Sequence, residues 1–408
     1  MNRAAHTSSN GLDLAAVKAR LAAEVDRRAE LLVDVSHRIH AHPELRYEEQ
    51  FAHDLLTEVL EAEGLTVTRS ARGIATAFEA RAGSTGPTVA VMCEYDALPG
   101  IGHACGHNVI AASGLGAGLA AAALAEELGG RVLVLGTPAE EGGGGKVLLA
   151  DAGALDDVAA ALMVHPADAD LAAMDVIAVQ EVVATYRGEA AHAAAFPHRG
   201  RNALDACVLG YMNVAALRQH IRPTERIHGV ITDGGDKANI VPNFARAEWM
   251  VRSETLTMLA RLQERFVACI EAGAQAAGCE VEIAWVNPAY ADMIDNRELV
   301  ARYRANAEVL GRTVDDPDPH HRVVGSTDMG NVSYVVPSIH PMIQVAPRGV
   351  PIHTPTFAEH AGGSGGDRAV IDGAKALAST VADVWLDDAL RSSAHEEWVR
   401  ETTRRGAS

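Results

Sequence analysis

The chain has 408 residues, 48% of them apolar, and a formal net charge of −19. That length suits two or three domains with a substantial core, and that charge argues against a nucleic-acid partner, which needs a basic face. Five cysteines (Cys93, Cys105, Cys207, Cys269, Cys279), odd in number and without close pairs, imply no disulfide framework and suit a reducing compartment. Residues 1–11 are polar, and no apolar run reads as long enough to span a membrane, so a cytoplasmic chain without a secretory signal is expected.

Residues 1–10 read as a disordered arm. Over 12–60 apolar residues recur at helical intervals, among them Leu14, Val17, Leu21 and Val25. Pro43 interrupts that pattern, and a helix over 47–63 stops at Gly64. Short strands at 65–69 and 74–79 precede a turn at 83–87. The apolar run 88–92 predicts a buried strand of a parallel sheet, and 109–128 predicts a helix rich in alanine and glycine. Strand 132–135, helix 146–152 and strand 160–164 continue the alternation. This predicts an α/β fold, a mostly parallel sheet with helices on both faces.

Near Val179 the order becomes β-α-β-β-α-β: strand 182–186, helix 203–219, strands 227–232 and 245–252, helix 256–272, strand 280–286. That order predicts an inserted ferredoxin-like α+β domain. The expected division is 12–180 with 289–408 as one domain and 181–288 as the other, hinged at the two crossings near Val179 and Pro288. Helices at 296–309 and 367–386 complete the first domain.

The chemistry concentrates where predicted strands end, which is where open α/β sheets bind ligands. After strand 88–92 come Glu94, Asp96, His103, Cys105 and His107. A thiolate and an imidazole two residues apart can share a metal if Gly106 turns tightly between them; a buried thiol beside a structural histidine is the plainer reading. After strand 132–135 come Glu140 and Glu141, followed by Gly142-Gly-Gly-Gly145. Adjacent carboxylates can divide cation binding and proton transfer, or can simply form a solvated acidic loop. No Lys-Ser/Thr pair follows, so a phosphate-binding P-loop is excluded. His165 follows strand 160–164, and His353 sits in Pro351-Ile-His-Thr-Pro355. His37, His40, His198, His320 and His321 read as solvated.

Five motifs in this order resemble the M20 metallopeptidase family, in its amidohydrolase-like branch: His42-Pro-Glu-Leu45, Asp96-Ala-Leu-Pro99, His103-Ala-Cys-Gly-His107, Pro138-Ala-Glu-Glu-Gly142 and His353-Thr-Pro355. Cys93-Glu-Tyr-Asp-Ala-Leu-Pro-Gly-Ile-Gly-His103, Gly188-Glu-Ala-Ala-His-Ala-Ala194 and Gly325-Ser-Thr-Asp-Met-Gly-Asn-Val-Ser333 are similar to the aminobenzoyl-glutamate hydrolase and M20-domain-2 dipeptidase subgroup. The resemblance implies a catalytic domain with an inserted lid that also makes a homodimer. It implies two divalent ions per subunit, zinc or manganese first and cobalt or nickel next, held by Cys105, His107, Glu141, His165 and His353. Glu140 matches the general base, Asp96 a residue that orients a ligand, and His192 a lid histidine that stabilises the oxyanion. Asn239 and Arg252 match residues that hold a substrate carboxylate.

Many relatives carry a ligand histidine where this chain has Glu94, and Glu94 is not counted among the ligands. The expected activity is hydrolysis of an amide or peptide bond in a small N-acyl amino acid or dipeptide, aminobenzoyl-glutamate-like substrates included. The competing reading is a non-catalytic metal-binding or regulatory protein on the same fold, disfavoured by the intact Glu140-Glu141 pair. A zinc deaminase would need a Cys-x-x-Cys pair, which the sequence lacks.

Overall fold

The computed structural model describes residues 13–317 and 324–406. They form two compact units, one made of the chain up to Asp175 and from Met293 onward, the other of Val176–Asp292.

The first unit opens with α1 (Leu14–Arg27), α2 (Ala29–Ala41) and α3 (Gln50–Ala62). Asp13 starts α1 by accepting from the Ala15 amide, and Val17, Leu21 and Val25 form its buried stripe. Then come β1 (Thr66–Arg69), β2 (Phe78–Ala82), β3 (Thr88–Glu94), α4 (His107–Leu128), β4 (Arg131–Thr137), α5 (Gly145–Asp151) and β5 (Val158–Leu162). The strand expected at 74–79 starts only at Phe78. Residues 74–77 instead close a turn, with the Ala77 amide donating to Ile74 O at 3.1 Å.

The second unit consists of β6 (Ala178–Arg187), α6 (Ala203–Leu217), β7 (Arg226–Asp233), β8 (Phe244–Ser253), α7 (Leu256–Ala277) and β9 (Glu280–Tyr290). Its sheet is antiparallel, in the order β9-β6-β8-β7, which is the ferredoxin-like arrangement. Tyr186, Trp249 and Phe266 anchor a core of its own.

The chain then re-enters the first unit with α8 (Arg297–Val309), α9 (Met329–Val335), β10 (Ser338–Ile339), α10 (Pro355–Ala361), α11 (Ser364–Leu386) and α12 (Asp388–Arg405). The sequence reading missed α12, whose buried residues are only Leu390, Ala394, Glu397 and Thr402. Such a thin stripe leaves little periodicity to detect.

The main sheet has six strands in the order β1-β2-β4-β3-β5-β10. Its β4, β3, β5 and β10 are parallel, and the β1–β2 edge runs antiparallel. Every residue of β3 is buried, as a strand covered on both faces requires. One expectation is corrected: α4 is long and apolar enough to cross a membrane, yet 89% of its apolar window is buried within the fold. Its small residues let it lie close on β3. A Cβ at Gly114 would meet Met92 O at 2.3 Å. Gly114→Ala should therefore push α4 off the sheet and destabilise the protein by about 1–3 kcal/mol. Urea unfolding checks this, and an unchanged midpoint would contradict the close approach.

Candidate metal centre

Strands β3, β4 and β5 release their loops at the carboxyl ends of the parallel strands, where folds of this class hold ligands. β3 ends at Glu94, and its loop passes Asp96 and Cys105 to reach His107, the first residue of α4. Gly106 makes the turn between the last two with φ 80°, and a Cβ there would stand 2.8 Å from Pro166.

β4 leads to Glu140 and Glu141 through Ala139, which has φ 61°. That left-handed conformation costs a non-glycine residue roughly 1–2 kcal/mol. Glu49 holds it, accepting from the Ala139 amide and from Thr76 Oγ1, each at 2.9 Å. Burial, reinforced by the charge of Asp96, raises Glu49 to about 7. His165 follows β5. His353, with φ 63°, is fixed by its amide donating to Ala104 O at 2.8 Å.

These residues converge. Cys105 Sγ lies 3.5 Å from His165 Nε2, and His353 Nε2 lies 3.3 Å from Glu141 Oε1. His107 Nε2 lies 3.0 Å from Glu94 Oε1 and 3.9 Å from both Glu140 Oε2 and Glu141 Oε1. Three overlapping groups result: Cys105–His107–His165, Cys105–Glu141–His353 and Glu94–His107–Glu140.

The tautomers follow from the partners. His107 Nδ1 faces Asp96 O at 2.9 Å and Asp96 Oδ1 at 3.1 Å, and His165 Nδ1 faces Pro166 O at 2.8 Å. Oxygens there require the proton on Nδ1, so both Nε2 lone pairs point into the cluster. Asp96 also accepts the Glu141 amide through its other oxygen at 2.9 Å.

The electrostatics call for a cation. Burial, with the His107 charge second, lowers His165 to about 4 and keeps it neutral. Burial works against a charge on His107, yet Glu94 and Cys105 outweigh it and push the imidazole well upward. Burial, then the charges of Glu94 and Glu141, drives Glu140 well above the usual carboxylate range. Burial also raises the Cys105 thiol, which binds metal only as thiolate. Glu94 Oε1, His107 Nε2 and Glu141 Oε1 are buried without an aligned hydrogen bond. Lone pairs converging in this way, from sulfur, nitrogen and oxygen donors, fit a divalent transition metal.

Beside them lies a group that sequence reasoning missed. Lys146, at the start of α5, is fully buried with its ammonium on Glu94 Oε2 and on Asp328 Oδ1, the latter at 2.7 Å. Asp328 Oδ2 accepts the Lys146 amide at 2.9 Å. Burial would raise Glu94, but Lys146 and His107 overcome it and hold the carboxyl well below its usual range. Nothing in the local pattern separates Lys146 from a solvated lysine opening a helix. His340 was also missed; its ring packs 5.2 Å from that of His165, and burial lowers it to about 3.

Other expected residues lie elsewhere. His103 is buried beside His40, with ring centroids 6.1 Å apart, and belongs to none of the three groups. His40 is half-buried rather than solvated and bonds Ala358 O at 2.8 Å. His320 and His321 fall outside the described residues. His192, Asn239 and Arg252 belong to the second unit. There His192 bridges Ile240, and the Ala193 amide donates to Asn239 O at 3.1 Å, so His192 and Asn239 lie together. Arg252, on β8, is half-buried.

Lys146→Met would leave two buried carboxylates without their cation. Removing one partner from a buried ion pair costs about 3–5 kcal/mol. Denaturant unfolding should show a loss of that size, and a neutral outcome would mean that Glu94 and Asp328 take up protons at no cost.

Residues 90–383 match the model of peptidase family M20/M25/M40. The Xaa-Arg dipeptidase of Mus musculus is 39% identical over 96% of this chain and 94% of its own length, and that of Homo sapiens is 38% identical over 95% and 93%. A subunit of the p-aminobenzoyl-glutamate hydrolase of Escherichia coli is 30% identical over 93% of this chain and 94% of its own length. An aminobenzoyl-glutamate utilization protein from Klebsiella pneumoniae superposes with a TM-score of 0.70 at 20% identity, over 89% of this chain and 96% of its own. A dinuclear metal-binding M20 peptidase from Bacillus subtilis superposes with a TM-score of 0.67 at 19% identity, over 88% and 99%. At those identities the two structures speak for the fold. The chain belongs to peptidase family M20/M25/M40 and is a metal-dependent hydrolase of peptide or amide bonds.

Proposed function

We propose that this protein hydrolyses the amide bond of a dipeptide or small N-acyl amino acid that bears a free carboxylate on its leaving half. The observation that carries the reading is the convergence of Cys105, His107, Glu141, His165 and His353 beside Glu140. These five side chains would hold two divalent ions, which, when bound, polarise the scissile carbonyl and make a water nucleophilic near neutral pH. Thiolate and imidazole donors suit zinc, and the carboxylates also admit manganese.

Glu140 is the general base. Its carboxylate lies 3.9 Å from His107 Nε2, beside the proposed ligands, where it takes the proton of the attacking water and returns it to the leaving nitrogen. Asp96 keeps His107 in the tautomer that offers Nε2. His192 is assigned to the oxyanion, and Asn239 and Arg252 to the substrate carboxylate, a group that guanidinium pairs with well. Dipeptides ending in arginine and aminobenzoyl-glutamate both carry that carboxylate, and the activities for which the relatives are named make them the first substrates to try. A homodimer belongs to the reading. β7 is an edge strand of the second unit's sheet with Val230 and Ile231 exposed, the kind of edge a partner copy covers.

Glu140→Gln should lower kcat by about 10²–10⁴-fold while elemental analysis still finds wild-type metal. Chelation should abolish turnover of the wild type, and added metal should restore it. Full turnover by the variant, or by the chelated enzyme, would refute this assignment.

A further inference from the structure

We infer that Glu94 is an additional metal ligand, locked in place by Lys146 and Asp328; the inference rests on the metal centre proposed above. Glu94 closes β3 and is fully buried. Its two oxygens face different partners. Oε2 receives the Lys146 ammonium, while Oε1 lacks an aligned hydrogen bond and lies 3.0 Å from His107 Nε2. With its proton held on Nδ1 by Asp96, His107 turns a lone pair toward that oxygen. Two lone-pair atoms facing each other at this distance repel unless a cation lies between them. Bonds of about 2.0–2.2 Å to one ion place neighbouring ligand atoms about 3.0–3.5 Å apart, and the Glu94–His107 separation of 3.0 Å falls in that range. The proposed base, Glu140, borders the same point.

Lys146 does not cancel this attraction. It stands between two carboxylates, so the buried trio of Glu94, Lys146 and Asp328 keeps one net negative charge. Its ammonium cannot swing toward the ion, because Asp328 holds both the side-chain nitrogen, at 2.7 Å, and the backbone amide, at 2.9 Å. Lys146 is thus a positioning residue that fixes which oxygen of Glu94 faces His107. The outcome is an uneven centre. Cys105 and His165 form a softer side suited to zinc, and Glu94 adds an oxygen donor on the side of His107 Nε2, which suits manganese. The rival arrangement places a proton on His107 Nε2 and leaves Glu94 merely steering that ring.

The test is a titration of the chelator-stripped full chain with Mn²⁺, counting bound ions, for wild type, Glu94→Gln and Cys105→Ser. Melting curves of the stripped proteins establish that each is folded. Wild type should bind about two ions. Glu94→Gln should keep one and lose the other by more than the roughly 10–100-fold that removal of an outer hydrogen-bonding partner brings. Two ions retained by Glu94→Gln with weakening inside that range would overturn the inference and leave the centre standing, provided Cys105→Ser is impaired. Unaltered uptake in both variants, or no uptake by wild type, would remove the centre and Glu94 with it. Should Glu94→Gln fail to fold, Glu94→Asp keeps the charge beside Lys146 but withdraws the oxygen; loss of one ion supports the ligand role and full retention overturns it.

Discussion

His107 is the point on which the rest of the site depends. It is the first residue of α4, fully buried, with oxygens on both sides of its ring. Asp96 takes one ring nitrogen, and Glu94, Glu140 and Glu141 surround the other. So much negative charge is stable in a desolvated place only when a cation answers it. The scaffold supplies one fixed cation, Lys146, and leaves the remainder of the charge facing His107 Nε2.

Holding that arrangement takes local strain and close packing. Ala139 and His353 both sit at positive φ, directly before the proposed base and at a proposed ligand. Neither conformation is favoured by its residue type. Glu49 and the Ala104 carbonyl hold them by hydrogen bonds from buried positions. Such strain persists only where the surroundings over-determine it, and it concentrates at functional sites. The close seat of α4 on β3 has the same effect at the other end, because it fixes where the helix begins and hence where His107 points.

The second unit shows a different balance. Its β-α-β-β-α-β order was legible because turns separate its elements and several of them, β8 and α7 most clearly, bury one face in a compact core around Trp249 and Phe266. The residues it contributes to the proposed chemistry were not legible by themselves. His192 lies in a run of alanines, and nothing in its neighbourhood distinguishes it from a surface histidine. Only its resemblance to a family motif singled it out.

The sequence by itself determined the class of fold and pointed to the two-unit organisation and to the loops proposed to carry the chemistry. Each rests on short-range information: apolar periodicity, glycine at turns, and donor residues placed where strands end. It also supplied the candidate donor types, Cys, His and Glu, which suit a transition metal. Tertiary structure alone decided that Glu94, Lys146 and Asp328 join the other donors and how the cluster is charged. Glu94 and Lys146 are 52 residues apart, and Lys146 and Asp328 are 182 apart, so no local pattern could pair them. Their effect on His107 arises from burial, which strengthens charge interactions by removing water. Burial is a property of the packed molecule and is not written in any one stretch of the chain.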